Sequence, residues 1–263
     1  AKKLNGKFGA NFVNAVLRNI LRNKGGLLSL PRDKYFSHDF LKILKQDYTP
    51  DEISAMEKFA EYEPPLDITL KDQTVNPLND GQVLFTGTVR MPSNVKVTEL
   101  PGYEEGKWWV QDAASALAVK CLPEIKGKNV LDICAAPGGK STELAAKLNG
   151  TGLLITNDIS NSRTKALLKN VEVSGVSNLC VLNEDPAKIS GRFTEFFDKV
   201  LIDAPCSGEG MFRKDNKLIK AWEQSGPEVY SAIQKSIIIH GAKMLRPGGM
   251  MLYSTCTFSS LED

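Results

Sequence analysis

From residue 107 to the C-terminal end, short apolar runs alternate with helix-length segments. The runs are 129–134, 153–157, 179–182, 199–203 and Met251-Leu252-Tyr253; helices are expected over about 110–121, up to Leu148, over 161–173 and over 228–245. Runs that are apolar throughout are buried on both faces, and a helix between consecutive strands is what parallel pairing requires. The expectation is an α/β core with five parallel strands. In such sheets the ligand crevice lies outside the carboxyl ends of the strands, so residues following each run are the first candidates for chemistry.

After the first run comes Cys134-Ala135-Ala136-Pro137-Gly138-Gly139-Lys140. A Gly-rich strand-to-helix turn lets backbone approach a ligand. Asp158, Asp185 and Asp203 stand at the ends of the next three runs. Asp158 is placed to bind ribose hydroxyls and Asp185 to lie near an adenine, a role for which Glu184 competes. The loop has neither the Gly-x-Gly-x-x-Gly pattern nor the full spacing of a nucleotide-binding P-loop, although Gly139-Lys140-Ser141 resembles its tail. That disfavours a pyrophosphate ligand and favours a smaller nucleoside such as S-adenosylmethionine.

The last two runs lead into cysteines, in Asp203-Ala204-Pro205-Cys206-Ser207-Gly208 and Ser254-Thr255-Cys256-Thr257. Carbon 5 of a pyrimidine is a poor nucleophile. A thiolate that adds to carbon 6 makes carbon 5 enamine-like and able to take a methyl group; a base then removes the carbon 5 proton and the thiolate leaves. Cys206, Cys256 and Asp203 supply the side chains this needs. Amine-directed methyltransferases instead carry Asn/Asp-Pro-Pro-Tyr/Phe here and need no thiol. Cys121, Cys134 and Cys180 lie in apolar stretches and are expected to be small buried hydrophobes. No Cys-x-x-Cys pair occurs, so no metal is expected, and a reducing, cytoplasmic setting is the simplest one. No apolar run is long enough to suggest a membrane span.

Net charge is only +2, but residues 1–34 hold eight Lys or Arg against the single acid Asp33. Such an arm can contact phosphates or simply keep a helix face solvated. Residues 11–22 space Phe12, Val13, Val16, Leu17, Ile20 and Leu21 as an amphipathic helix that needs a partner. A short helix is expected over 38–46. Thr49-Pro50-Asp51-Glu52 reads as a capping box opening a helix to about Tyr62. Asp67–Leu70 and Gln82–Phe85 read as strands of a small α+β domain over 26–106. Trp108-Trp109 is expected to pack a connector against the core, with base stacking as the other option. Trp222, preceded by Arg213, Lys214, Lys217 and Lys220, is read as part of a loop that either contacts RNA or is solvated. His38 and His240 are not expected to take part in chemistry.

These stretches resemble the RNA 5-methylcytosine methyltransferases of the NOL1/NOP2/Sun group, and among them the bacterial Rsm B/F-type 16S rRNA enzymes. The likeness rests on Trp108–Ser115, Asp132–Thr142, Asn157–Ser160, Asp203–Gly210, Arg246–Gly249 and Tyr253–Thr257. It implies a class I methyltransferase Rossmann-like core over 107–263, S-adenosylmethionine on residues 134–140, Asp158, Asp185 and Asp203, Cys256 as nucleophile and Cys206 as the aid to product release. Residues 12–18 resemble the last helix of the NusB-like RNA-binding domain of the B-type enzymes, making 1–25 a remnant of it. Glu209–Asp215 is closer to the F-type enzymes. Such folds continue before residue 12 and add a final antiparallel strand pair after Cys256, so the chain is expected to be a fragment with an incomplete sheet. The function implied is methylation of carbon 5 of an RNA cytosine, in 16S rRNA, by a monomer. The alternative is a non-catalytic RNA-binding or ribosome-assembly factor on the same scaffold.

Overall fold

Five parallel strands form the larger sheet of this computed structural model, which describes residues 13, 15–23, 36–60, 62, 64–85, 87–92, 95–212, 214 and 217–263. They are β5 (Asn129–Asp132), β6 (Leu153–Asn157), β7 (Leu179–Leu182), β8 (Phe197–Asp203) and β9 (Leu245–Ser254), ordered β7-β6-β5-β8-β9. Alternate residues of the central strands serve opposite faces, as the two-residue period requires. Val130, Leu154 and Leu201 pack with Val119 and Ile125 and with Leu144 and Leu148 of α4 (Gly139–Leu148). Leu131, Ile155, Val200 and Ile202 pack on the other side with Ile189 of α6 (Pro186–Arg192) and with Ile237 and Met244 of α8 (Pro227–Met244). Each such side chain contributes about 1.5–3 kcal/mol on burial. The chain turns from one wing of the sheet to the other between β5 and β8, which puts the switch-point crevice beside the loop after β5.

A second, antiparallel sheet has the order β2-β3-β1-β4, from β1 (Leu66–Leu70), β2 (Gln82–Phe85), β3 (Thr88–Met91) and β4 (Trp108–Val110). Ile68, Leu70, Leu78, Val89, Met91 and Trp108 form its core. Asp67, buried in β1, takes a two-pronged bond from Arg90 at 2.7 and 2.9 Å and also accepts from the Ala113 N–H at the start of α3 (Ala113–Lys120). One carboxylate therefore ties this sheet to the larger unit. Helices α1 (His38–Asp47) and α2 (Pro50–Ala60) precede it, and the Thr49–Glu52 capping box forms as expected, with the Thr49 N–H donating to the Glu52 carboxylate at 2.8 Å.

Several sequence expectations are corrected. Trp108–Val110, expected as a connector and the start of a helix, pair with Leu70, Thr69 and Ile68 as a strand; bulky β-favouring residues at a sheet edge outweigh the helical spacing that follows them. Trp108 is buried and donates its indole N–H to the Pro101 carbonyl at 2.7 Å. Lys217–Gln224 is a helix, α7, not a loop, and Trp222 is only 5% exposed, packed on Phe40 and Phe212. Cys121 and Cys180 are exposed, not buried. The first caps the end of a short helix, and the second lies on β7, the strand at one edge of the sheet. Cys134 is half-buried. Residues 15–22 are helical, with Val16, Leu17, Ile20 and Leu21 exposed; most of the basic arm lies outside the described residues, as do Phe12 and Arg213.

Candidate active site

Strands β8 and β9 are parallel neighbours in the register Asp203↔Ser254, and the pairing continues with the Ala204 N–H donating to the Ser254 carbonyl at 2.9 Å. Two loops therefore leave the sheet side by side, each with a cysteine a few residues beyond the last paired position. Strand spacing is near 4.8 Å, close enough for the side chains to meet. Cys206 Sγ and Cys256 Sγ lie 3.3 Å apart, both free thiols. The Cys256 N–H also donates to Cys206 Sγ at 3.3 Å. The hydrogen bond from the Cys206 thiol holds Cys256 below the ordinary thiol range, while the same bond and burial push Cys206 up. The pair is thus polarised, with Cys256 the sulfur that loses its proton first. Gly210 closes the arrangement: its N–H donates to the Cys256 carbonyl at 2.8 Å, and a Cβ there would sit 2.8 Å from that oxygen.

Asp203 is half-exposed and paired with Lys140 Nζ at 2.6 Å, and it accepts from the Ser254 hydroxyl at 3.0 Å. Lys140, expected among the cofactor contacts, thus spends its charge on the aspartate beside the thiols. Both groups lie within electrostatic range of Cys256.

The glycine turn after β5 is built by Gly138, whose φ of 112° only glycine takes without strain. Ala135, Ala136 and Gly138 are buried, Gly139 is half-buried and Pro137 is exposed. Asp158, 2% exposed, holds this loop by accepting from the Ala136 N–H at 3.2 Å and from the Ser160 N–H at 2.9 Å. Arg163 reaches the same carboxylate at 3.6 Å and donates to the Ala136 carbonyl. Asp132, fully buried at the end of β5, accepts from the Ser141 hydroxyl at 2.7 Å, and its other oxygen has no partner among the described residues. Burial, reinforced by Asp203 and Asp158, pushes it up to about 7. Burial and the same acids push the Cys134 thiol up as well. Asp185, exposed at the end of β7, caps α6 through the Ala187 N–H, and Glu184 pairs with Lys188. Cys134, Asp158, Asp203 and Lys140 thus lie within electrostatic reach of Asp132 or of one another, while Asp185 is seen only as the cap of α6.

Sequence reasoning missed the Lys140–Asp203 pair and the part played by Arg163. It also missed a buried network of Ser207, Thr257, Glu209 and Glu262 beneath the thiols. The one available signal was a hydroxyl residue directly after each cysteine. His240 meets Ser190 at 3.0 Å on α8 and His38 is exposed beside Asp39. Among the described residues no cluster suits a metal ion, and no helix is long and apolar enough to cross a membrane.

Residues 119–263 match the family 16S rRNA methyltransferase RsmB/F. The chain is 43% identical over 160 residues to ribosomal RNA small subunit methyltransferase F of Vibrio vulnificus, covering 60% of this chain and 34% of the relative. For the protein of the same name from Shewanella loihica the values are 39% over 181 residues, 66% and 37%. The chain thus spans about a third of the length of the curated relatives it matches. Among solved structures it is similar to PH0851 (26% identical, TM-score 0.78, covering 88% of this chain and 55% of that one). It is also similar to NSun6 from Pyrococcus horikoshii with SFG (32% identical, TM-score 0.56, covering 64% and 43%). The core is a class I methyltransferase Rossmann-like fold. With the family match extending over more than half of its residues, the chain belongs to the RsmB/F family of 16S rRNA methyltransferases.

Proposed function

We propose that this chain carries the methyl-transferring part of an enzyme that methylates carbon 5 of a cytosine in 16S rRNA with S-adenosylmethionine. The two polarised thiols at 3.3 Å, beside the Lys140–Asp203 pair, carry this reading. Methylation at an amine or hydroxyl would leave such a pair without a task.

The residues present suit S-adenosylmethionine. Asp132, Asp158 and Asp203 stand around the Gly138 turn, Asp158 met by Arg163 and Asp203 by Lys140, and one buried oxygen of Asp132 has no partner among the described residues. Such a site favours a cationic ligand that also offers hydroxyl groups. Residues 134–140, Asp158 and Asp203 would hold it, with Asp185 by the adenine. Bound there, it supplies an electrophilic methyl group on a sulfonium.

The protein's own chemistry then runs as follows. Cys256, as thiolate, adds to carbon 6 of the cytosine; a C–S bond forms and the electron pair of the 5,6 double bond makes carbon 5 nucleophilic. Asp203, oriented by Lys140 and Ser254, holds N3 and the exocyclic amine. Once carbon 5 is methylated, a base takes its proton, the C–H electron pair re-forms the 5,6 double bond, the C–S bond breaks with its pair going to Cys256, and Cys206 assists that release. Attack on the ring face requires an unpaired or flipped base. Residues 26–106, with the helix within 1–25, hold the RNA. The relatives named methyltransferase F, together with the Glu209–Asp215 stretch, favour an F-type choice of cytosine.

The test uses Cys206→Ala protein with 16S rRNA and S-adenosylmethionine on a denaturing gel. A covalent protein–RNA band is expected, and it should vanish in Cys206→Ala/Cys256→Ala. Absence of a band despite RNA and cofactor binding would overturn the covalent reading and favour a non-catalytic RNA-binding factor.

A further inference from the structure

The two cysteines are held by the residues that follow them. Ser207 Oγ and Thr257 Oγ1 are 3.1 Å apart, so the contact between the loops is repeated one residue deeper than the thiols. Both hydroxyls donate to Glu262, a carboxylate only 4% exposed. Glu262 Oε2 also accepts from the Ser207 N–H at 3.1 Å and from Gln234 Nε2 of α8 at 2.7 Å. The same Gln234 nitrogen donates to the Pro205 carbonyl at 3.0 Å. One buried carboxylate thus touches the Cys206 loop twice, the Cys256 loop once, and the helix behind the sheet.

The geometry points to Glu262 as a positioning residue that clamps the two loops so that the sulfurs stay in contact. A thiol–thiol contact is weak by itself, whereas bonds to a buried carboxylate are strong and directional. If the loops separated, Cys256 would lose the hydrogen bond that favours its thiolate. Cys206, Asp203, Lys140 and Glu209 act on Cys256, and Glu262 acts on Cys206. The proposed route from Glu262 to Cys256 runs through Cys206. The inference rests on the two-thiol reading above, but its test needs neither RNA nor cofactor, so it can fail or hold separately from the methylation assay.

The experiment follows alkylation of Cys256 by iodoacetamide, read by mass spectrometry across pH on the folded full chain. In Glu262→Ala the pH midpoint of Cys256 should rise and its rate near neutral pH should fall about tenfold, the size of a lost hydrogen bond to a charged group. Cys206→Ala should give the same shift, and the double variant no more than either alone. Glu262→Gln, which can still bond both hydroxyls and the two N–H donors, should restore most of the rate. A Glu262→Ala protein that melts lower yet keeps its midpoint would overturn the proposal, as would shifts that add in the double variant. Should Glu262→Ala fail to fold, Ser207→Ala cuts one loop from the clamp; the same upward shift is expected, and an unchanged midpoint overturns the idea.

Discussion

Cys206 and Cys256 are alike as residues: each follows a strand and enters a turn of small polar groups. Their mutual contact makes them unequal: it holds Cys256 below the ordinary thiol range and pushes Cys206 up. Gly210 shows how narrow the tolerances are. Gly210→Ala would push a methyl group against the Cys256 carbonyl 2.8 Å away, and the loop must give way. The expected outcome is loss of most of the Cys256-dependent RNA band on the denaturing gel, with thermal stability lowered by about 1–3 kcal/mol. Asp132 makes a different prediction. Its folded value of about 7 lies above the unfolded value of 3.8, so the folded state binds more protons between them. Its contribution to stability is therefore greatest below about pH 4 and is lost as pH rises toward 7. Denaturant midpoints from pH 4 to 8 should fall with pH, and Asp132→Asn should flatten that fall; an unchanged slope would exclude Asp132 as its source.

At the scale of elements, the sequence was most legible where periodicity was long. The parallel strands and the helices around Leu144, Leu167 and Ile237 lie close to where the apolar pattern placed them, except that β9 starts at Leu245 and takes in Arg246–Gly249, expected as a turn. The Thr49–Glu52 box was readable because its bonds are local. What was missed is short or decided by packing. β3 and β4 have four and three residues and owe their form to pairing with β1. Helix α7 looked like a basic loop because its one large aromatic, Trp222, is buried by residues far away in the chain. Trp222 meets Phe40 at 5.1 Å and donates to Glu209 at 2.8 Å. Trp222→Ala should cost about 3–5 kcal/mol by opening a cavity between α1 and α7. Because Glu209 lies 2.7 Å from the Ser207 hydroxyl, the same change should slow Cys256 alkylation. A stability loss of that size with normal Cys256 reactivity would show that the aromatic cluster is uncoupled from the thiols.

For the molecule as a whole, the N-terminal helices are bonded to the segment that follows Cys256 and the first sheet to α3, so neither is merely strung before the core. Tyr48 donates its hydroxyl to the Phe258 carbonyl at 3.0 Å, and Ser260 donates to Asp47 at 2.7 Å, both just beyond Cys256. Asp67 fastens the first sheet to α3. Unfolding in urea should therefore be a single transition, with tryptophan fluorescence and far-ultraviolet circular dichroism giving the same midpoint; two separated midpoints would show that the units fold independently.

The sequence by itself determined the α/β core, the glycine turn and the four loops that face the crevice, because these follow from apolar period and from glycine's freedom, both properties of neighbouring residues. It also named both cysteines, through the strands they follow. Only the tertiary structure decided which groups meet. Lys140 and Asp203 are far apart along the chain, as are Ser207 and Glu262, and a side chain's partner across a fold is set by strand order and register. Cys206 and Cys256 come into contact because β8 and β9 are parallel neighbours in the register Asp203↔Ser254, and no local pattern along either strand encodes that adjacency.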